Sequence, residues 1–122
     1  MSAPARPRTV LIVDDHPVYR ATVRLLLESG GFEVVGEAAD GRAALDLVIR
    51  VRPELVLLDV RLPDVDGIDV ASRMSRGPEP PAIILISSRS ASDYGERLAL
   101  APVAGFIPKA RLSASAIEAL LG

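Results

Sequence analysis

The chain has 122 residues, of which 49% are hydrophobic and 25% charged, with no cysteine and a formal net charge of −2. That length suits one domain with its own hydrophobic core, and the lack of cysteine excludes disulfides, thiolate catalysis and cysteine-based zinc sites. The mildly acidic balance argues against nucleic-acid contact, and no apolar run reaches the length of a membrane span or a signal-peptide core, so a cytoplasmic protein is expected.

The elements follow in chain order. Residues 1–8 carry two prolines and small residues, and predict a flexible lead-in ahead of a single domain over 9–122. Thr9 to Val13 predicts a strand that ends at Asp14-Asp15. Residues 17–29 predict a helix with Val18, Ala21 and Leu25 as its apolar stripe, ended by Gly30-Gly31. Phe32 to Glu37 predicts a second strand. Asp40-Gly41 opens a second helix, in which Ala44, Leu47, Val48 and Val51 keep helical spacing until Pro53. Leu55 to Leu58 is a third strand ending at Asp59, followed by a turn through Pro63-Asp64 and a helix from Val65 to Ser75. Three prolines at 78, 80 and 81 break the chain before a fourth strand, Ala82 to Ile86, which ends at Ser87-Ser88. Ala91 to Leu100 predicts a weaker helix, because Gly95 inside it costs about 1 kcal/mol relative to Ala. Val103 to Ile107 is a fifth strand. Ser113 to Leu121 is a last helix, with Ser115 and Glu118 as a capping box.

Five strand–helix units in alternation predict a parallel sheet with helices on both faces. Strands one, three and four are unbroken aliphatic runs, as strands covered on both sides must be. The second carries Glu33 and Glu37 and the fifth meets Pro108, which suits edges. The order 2-1-3-4-5 satisfies this. It is the flavodoxin-like, doubly wound α/β fold, whose ligand site lies at the carboxyl ends of the strands where the winding reverses, between strands one and three.

Polar residues follow four of those strand ends: Asp14-Asp15, Asp59, Ser87 and Lys109. Distant in sequence, they are expected to converge. Three carboxylates brought together repel one another, and a hard divalent cation offsets this most simply. Mg²⁺ suits the site because it takes oxygen ligands and binds through one or two carboxylates plus phosphate oxygens. A phosphoryl group there would be held by the cation, the Lys109 ammonium and the Ser87 hydroxyl, and a carboxylate can be the nucleophile that forms an acyl phosphate.

The motifs Val13-Asp14-Asp15-His16-Pro17, Leu57-Leu58-Asp59-Val60-Arg61-Leu62-Pro63 with Asp66-Gly67, Ile86-Ser87-Ser88 and Gly105-Phe106-Ile107-Pro108-Lys109 resemble a response-regulator receiver domain from Thr9 onward. The wording around Asp14-Asp15-His16-Pro17 and Gly31-Phe32-Glu33-Val34-Val35-Gly36 is similar to the subgroup usually followed by a LuxR/NarL-type helix-turn-helix domain. The resemblance implies that Asp59 is the phosphoacceptor and a sensor histidine kinase the donor. It implies that Asp15, Asp59 and the Arg61 backbone carbonyl ligate Mg²⁺, with Asp14 acting through water. It further implies that Lys109 pairs with Asp59 and then with the phosphoryl oxygens, that Ser87 moves to the phosphoryl group, and that Phe106 changes rotamer with it. The output it implies is transcription, through a domain absent from this segment, with homodimerisation on phosphorylation as one route. The protein would be no enzyme in the usual sense, but a phosphoacceptor that assists its own phosphorylation and dephosphorylation.

Three departures stand out. Position 106 is Phe, so it lacks the hydroxyl of a Tyr. Ala110 follows Lys109 where many members carry Pro. The chain stops at Gly122, as expected for a free-standing receiver or for one segment of a longer regulator.

Bland readings compete. Asp14 could cap the first helix, Asp59 could begin an Asx turn, and Lys109 and Ser87 taken singly are ordinary surface and turn residues. His16, the one histidine, is expected to be a loop residue and not a zinc ligand. Asp64, Asp66 and Asp69 are expected to form a solvated turn and helix start. The alternatives for the whole chain are a phosphohydrolase, which a lack of any substrate cap opposes, and a degenerate, phosphorylation-independent interaction module, which the complete residue set opposes.

Overall fold

The computed structural model of the chain describes residues 6–122. Its elements are β1 (Thr9–Val13), α1 (Pro17–Ser29), β2 (Glu33–Ala38), α2 (Gly41–Val51), β3 (Leu55–Asp59), α3 (Gly67–Ser75), β4 (Ala82–Ser87), α4 (Glu96–Ala99), β5 (Gly105–Pro108) and α5 (Ala114–Leu121). The five strands form one sheet in the order β2-β1-β3-β4-β5, and every neighbouring pair is parallel. The flavodoxin-like order read from the aliphatic runs is therefore the observed one.

Strand alternation explains the two cores. Leu11, Val13, Val56, Leu58, Ile83 and Leu85 face the side where α2 and α3 pack, meeting Ala44, Ile68, Val70, Ala71 and Met74. Val10, Ile12, Leu55, Leu57, Ile84 and Ile86 face the other side, against Val23 and Leu27 of α1 and Ile117 of α5. Full burial of an aliphatic side chain is worth about 1.5–3 kcal/mol, so these central strands hold the molecule together. The edge strand β2 keeps Glu33 exposed, and its Glu37 carboxylate pairs with Arg20 (3.1 Å) and Arg24 (2.7 Å).

Four local expectations need correction or detail. First, Val18, Ala21 and Leu25 are not the core stripe of α1; Val18 is 81% exposed and Leu25 69%. The buried face carries Val23 and Leu27, flanked by Tyr19 and Leu26. The helix has enough apolar residues for two stripes, and only its docking on the sheet selects one. Second, the helix expected over 91–100 is broken into a 3-10 turn at Ala91–Asp93 and the single turn of α4, with Gly95 between them at φ +57°. Glycine adopts that left-handed conformation without a Cβ clash, and neither turn buries a residue that would hold the pieces in line. Third, α5 is capped by Ser113, whose hydroxyl accepts from the Ala116 amide at 3.0 Å, and not by Ser115 with Glu118. Fourth, of the lead-in, residues 1–5 lie outside the described residues, while the Arg6 guanidinium meets Glu54 at 2.8 Å and the Arg8 carbonyl accepts from the Glu33 amide at 2.9 Å.

Candidate functional site

The carboxyl ends of β1, β3, β4 and β5 meet at one rim of the sheet, and each delivers a polar group there. Asp14, Asp59 and Ser87 are the buried polar side chains among the described residues, at 0%, 3% and 1% exposure. Burying a polar group without partners is costly, so their partners define the site.

Lys109, just past β5, supplies the central one. Its ammonium lies 3.0 Å from Asp59 Oδ2 and 2.5 Å from Asp14 Oδ2, tying the ends of β1, β3 and β5 together. The same ammonium sits 4.5 Å from the centre of the Tyr19 ring, a cation–π contact from α1. Asp59 Oδ1 accepts from the Arg61 amide at 3.0 Å. The Asx turn considered for Asp59 is thus present, and it orients the carboxylate. Asp14 does not cap α1. The N-cap is His16, whose amide donates to Asp14 Oδ1 at 2.8 Å. The Asp14 carbonyl accepts from Arg20 at 2.5 Å and its amide donates to Ala38 at 3.0 Å, while its buried Oδ2 has the Lys109 ion contact alone.

Gly67 shapes the floor. Its amide donates to the Val60 carbonyl at 2.7 Å, and a Cβ placed there would stand 2.2 Å from the Asp59 carbonyl oxygen. Only glycine lets α3 approach the end of β3 so closely. The loop between them is pinned by its own acids. Asp64 accepts from the Gly41 and Arg42 amides at 2.8 and 3.0 Å, capping α2 from across the chain. Asp66 caps α3 through the Ile68 amide at 2.7 Å and meets Arg97 at 2.8 Å. Of the acidic run expected to be solvated, these two make structural contacts, and Asp69 stays exposed in the first turn of α3.

The charges follow from this geometry. Burial pushes the Asp59 carboxyl above its usual range, and the Asp14 charge adds to it; the Arg61 amide and Lys109 oppose without prevailing. Burial by itself would lower Lys109, but its bonds to Asp14 and Asp59 outweigh that and raise it. Burial, with the negative charges of Asp14 and Asp59, pushes the Tyr19 phenol up to about 12 against the opposing pull of Lys109.

Around this centre lies an open depression bordered by Asp15, His16, Arg61, Ser88 and Lys109, with Asp59 at its base. One oxygen from each of Asp14, Asp15 and Asp59 and a ring nitrogen of His16 lie within 4.8 Å of one another. Asp15 Oδ1 is buried and makes no hydrogen bond; His16 Nδ1 stands 3.1 Å away but bonds to Asp14. A buried acceptor without a donor, in a set of carboxylate oxygens, fits a hard divalent cation.

Three residues here had no sequence signal. His16, set aside as a loop residue, belongs to the acidic cluster. Tyr19 is on the buried face of α1 that the sequence stripe missed. Tyr94 reaches Ser87, its hydroxyl 2.5 Å from Ser87 Oγ, while its ring packs against Phe106 with centroids 6.1 Å apart. The Ser87 oxygen also accepts from the Arg89 amide at 3.0 Å.

The sequence pattern of the response regulator receiver domain matches residues 10–120. The chain belongs to that family. The receiver is 37% identical over 100 residues to a putative transcriptional regulator of Pseudomonas aeruginosa, covering 82% of this chain and 48% of that protein. It is 37% identical over 113 residues to the probable transcriptional regulatory protein NarL of Mycobacterium tuberculosis, covering 92% and 52%. The receiver thus spans about half the length of these curated relatives. Among solved structures, the signal receiver domain of the putative response regulator NarL from Mycobacterium tuberculosis superposes with a TM-score of 0.83 at 33% identity, covering 97% of this chain and 99% of that one. A two-component response regulator of the LuxR family from Aurantimonas gives a TM-score of 0.84 at 30% identity, covering 94% and 85%. Receiver domains are phosphoacceptor regulatory modules of two-component systems and bind Mg²⁺ at an acidic pocket; this chain carries a cluster of carboxylates from Asp14, Asp15 and Asp59. Among the described residues no helix is long and apolar enough to cross a membrane.

Proposed function

We propose that this receiver accepts a phosphoryl group on Asp59 from a phosphohistidine of a sensor histidine kinase, in a Mg²⁺-dependent step. The observation that carries the reading is a buried carboxylate held by a lysine that also holds a second buried carboxylate. An oxygen of Asp59 attacks phosphorus as the phosphorus–nitrogen bond to the donor imidazole breaks, leaving an acyl phosphate on Asp59 and the electron pair on the imidazole. Phosphoryl transfer depends mostly on positioning and charge stabilisation, and this chain's residues suit both. The Arg61 amide orients the Asp59 carboxylate, and the Lys109 ammonium is already in place to pass from carboxylate to phosphoryl oxygen. Asp15, Asp59 and the Arg61 carbonyl would hold Mg²⁺, with Asp14 acting through water; the bound ion supplies charge neutralisation for the incoming phosphoryl oxygens. The same pocket would support hydrolysis of the acyl phosphate, so the receiver assists both directions without being a conventional enzyme.

In this reading Ser87 turns to the phosphoryl group and Phe106 follows, altering the face formed by α4 and β5. The exposed Val18 and Leu25 on α1, directly after the acidic loop, leave apolar surface for the kinase. The output is transcription, carried by a part of the regulator outside this segment, in the cytoplasm.

The test is intact mass after incubation with Mg²⁺ and acetyl phosphate, beside Asp59→Asn. One phosphoryl adduct per chain, lost without Mg²⁺ and lost in the variant, is expected. An adduct that survives Asp59→Asn would move the acceptor elsewhere. No adduct with acetyl phosphate or with a histidine kinase would favour a phosphorylation-independent interaction module.

A further inference from the structure

The hydroxyl that position 106 lacks is present one layer away, on Tyr94. Ser87 ends β4 beside Asp59, since Asp59 pairs in register with Ile86. Yet both hydrogen-bond partners of its hydroxyl, the Arg89 amide and the Tyr94 phenol, come from the segment that follows β4. At 2.5 Å the Ser87–Tyr94 contact is a short oxygen–oxygen hydrogen bond in a partly buried setting. Neither partner of the Ser87 hydroxyl is the Asp59 carboxylate.

The segment bearing Tyr94 has few other anchors. It consists of two short turns around Gly95 and buries no residue fully. Asp93 and Ser90 cap its first turn locally. Apart from partly buried Leu98, its ties to the body are the Tyr94 hydroxyl on Ser87, the Tyr94 ring on Phe106, and Arg97 on Asp66. Two of those three run through one tyrosine. Segments with few buried contacts open at low free energy, so a single side chain can set the balance here.

We propose that Tyr94 is a positioning residue that latches Ser87 in the resting arrangement, so that phosphorylation of Asp59 must break the Ser87–Tyr94 hydrogen bond and thereby frees the 90–100 segment. This rests on the reading of Asp59 as phosphoacceptor with Ser87 as the phosphoryl partner. A ligand shifts an equilibrium only by its differential affinity for the two states, so a latch that favours the resting state weakens binding of any phosphoryl group or mimic. Tyr94→Phe keeps the ring on Phe106 and removes only the hydroxyl. One hydrogen bond of ordinary net strength corresponds to about 2- to 10-fold in an equilibrium constant.

The experiment measures beryllofluoride affinity in Mg²⁺ by calorimetry for the wild-type chain, Tyr94→Phe, Ser87→Ala and the double variant. Tyr94→Phe is expected to bind more tightly by about 2- to 10-fold, and the gain should vanish when Ser87 is Ala. A second readout needs no mutation at 94. The chain has two tyrosines and no tryptophan, so in Tyr19→Phe the ultraviolet spectrum of Tyr94 reports its hydroxyl directly. A shift on adding beryllofluoride is expected. Equal affinity for Tyr94→Phe and wild type, with an unchanged Tyr94 spectrum, overturns the latch while leaving the phosphoacceptor intact. Weaker binding by Tyr94→Phe also overturns it, since the hydroxyl would then support the bound state. Absence of beryllofluoride binding and of an acetyl phosphate adduct in the wild-type chain overturns the phosphoacceptor reading, and the latch with it.

Discussion

Two aspartates five positions apart show how placement sets the behaviour of a side chain. Asp59 is buried and beside Asp14, so its carboxyl titrates above its usual range. Asp64 accepts backbone bonds, first from Gly41, and titrates below it. The stability consequences have opposite signs. A raised carboxyl penalises the folded state once it ionises; the penalty is full above its folded pKa and fades as pH falls towards the unfolded value. A lowered carboxyl stabilises above its unfolded pKa, and that contribution fades as pH falls through its folded pKa. Without Mg²⁺ at neutral pH, Asp59→Asn is expected to melt a few degrees above the wild type and Asp64→Asn below it. Thermal melts from neutral to acid should show both differences shrinking. An Asp59→Asn chain that melts lower than the wild type at neutral pH would mean that Lys109 compensates the buried charge fully.

Single elements carry the site only where they pack closely. The approach of α3 to the end of β3 depends on Gly67, because a methyl group there would overlap the Asp59 carbonyl and Val60 Cα, both backbone. Overpacking of this kind costs about 1–3 kcal/mol. Gly67→Ala is therefore expected to lose that much in denaturant unfolding and, on the proposed function, to slow phosphorylation from acetyl phosphate, since the overlap is relieved only by moving α3 or the end of β3 that carries Asp59. Ala at position 77, where the nearest non-neighbour atom is 3.4 Å away, is the control and should cost far less. The broken α4 lies at the other extreme. Its pieces bury nothing fully, which is why the contacts of Tyr94 and Arg97 govern it.

At the scale of the whole molecule, four strands end in one polar cluster because the sheet is wound from the middle outward. The cluster of Asp14, Asp15 and Asp59 against Lys109 carries excess negative charge, and one buried Asp15 oxygen lacks a donor. A cation that binds only the folded chain stabilises it in proportion to the logarithm of its concentration once the site is filled. Melting temperature is expected to rise with Mg²⁺ through the millimolar range, and Asp15→Asn should flatten the rise. A wild-type melt that ignores Mg²⁺ while sodium at equal ionic strength does the same would remove the cation from the site.

What the sequence determined by itself was the fold and the roster of strand-end residues. Run length, aliphatic continuity and turn residues are local signals, and parallel strands joined by helices leave few topologies, so five strand–helix units were enough to place Asp14, Asp15, Asp59, Ser87 and Lys109 at one rim. The tertiary structure decided what depends on distance between segments. It chose the Val23–Leu27 face of α1 over the stripe of Val18 and Leu25, because only contact with the sheet distinguishes two apolar faces of one helix. It brought His16 into the acidic cluster, set Tyr19 under Lys109 and put the Tyr94 hydroxyl on Ser87, and none of these has a periodicity to announce it. Hydrogen bonds and close approaches between remote segments are set to fractions of an ångström by packing, and no local pattern encodes that.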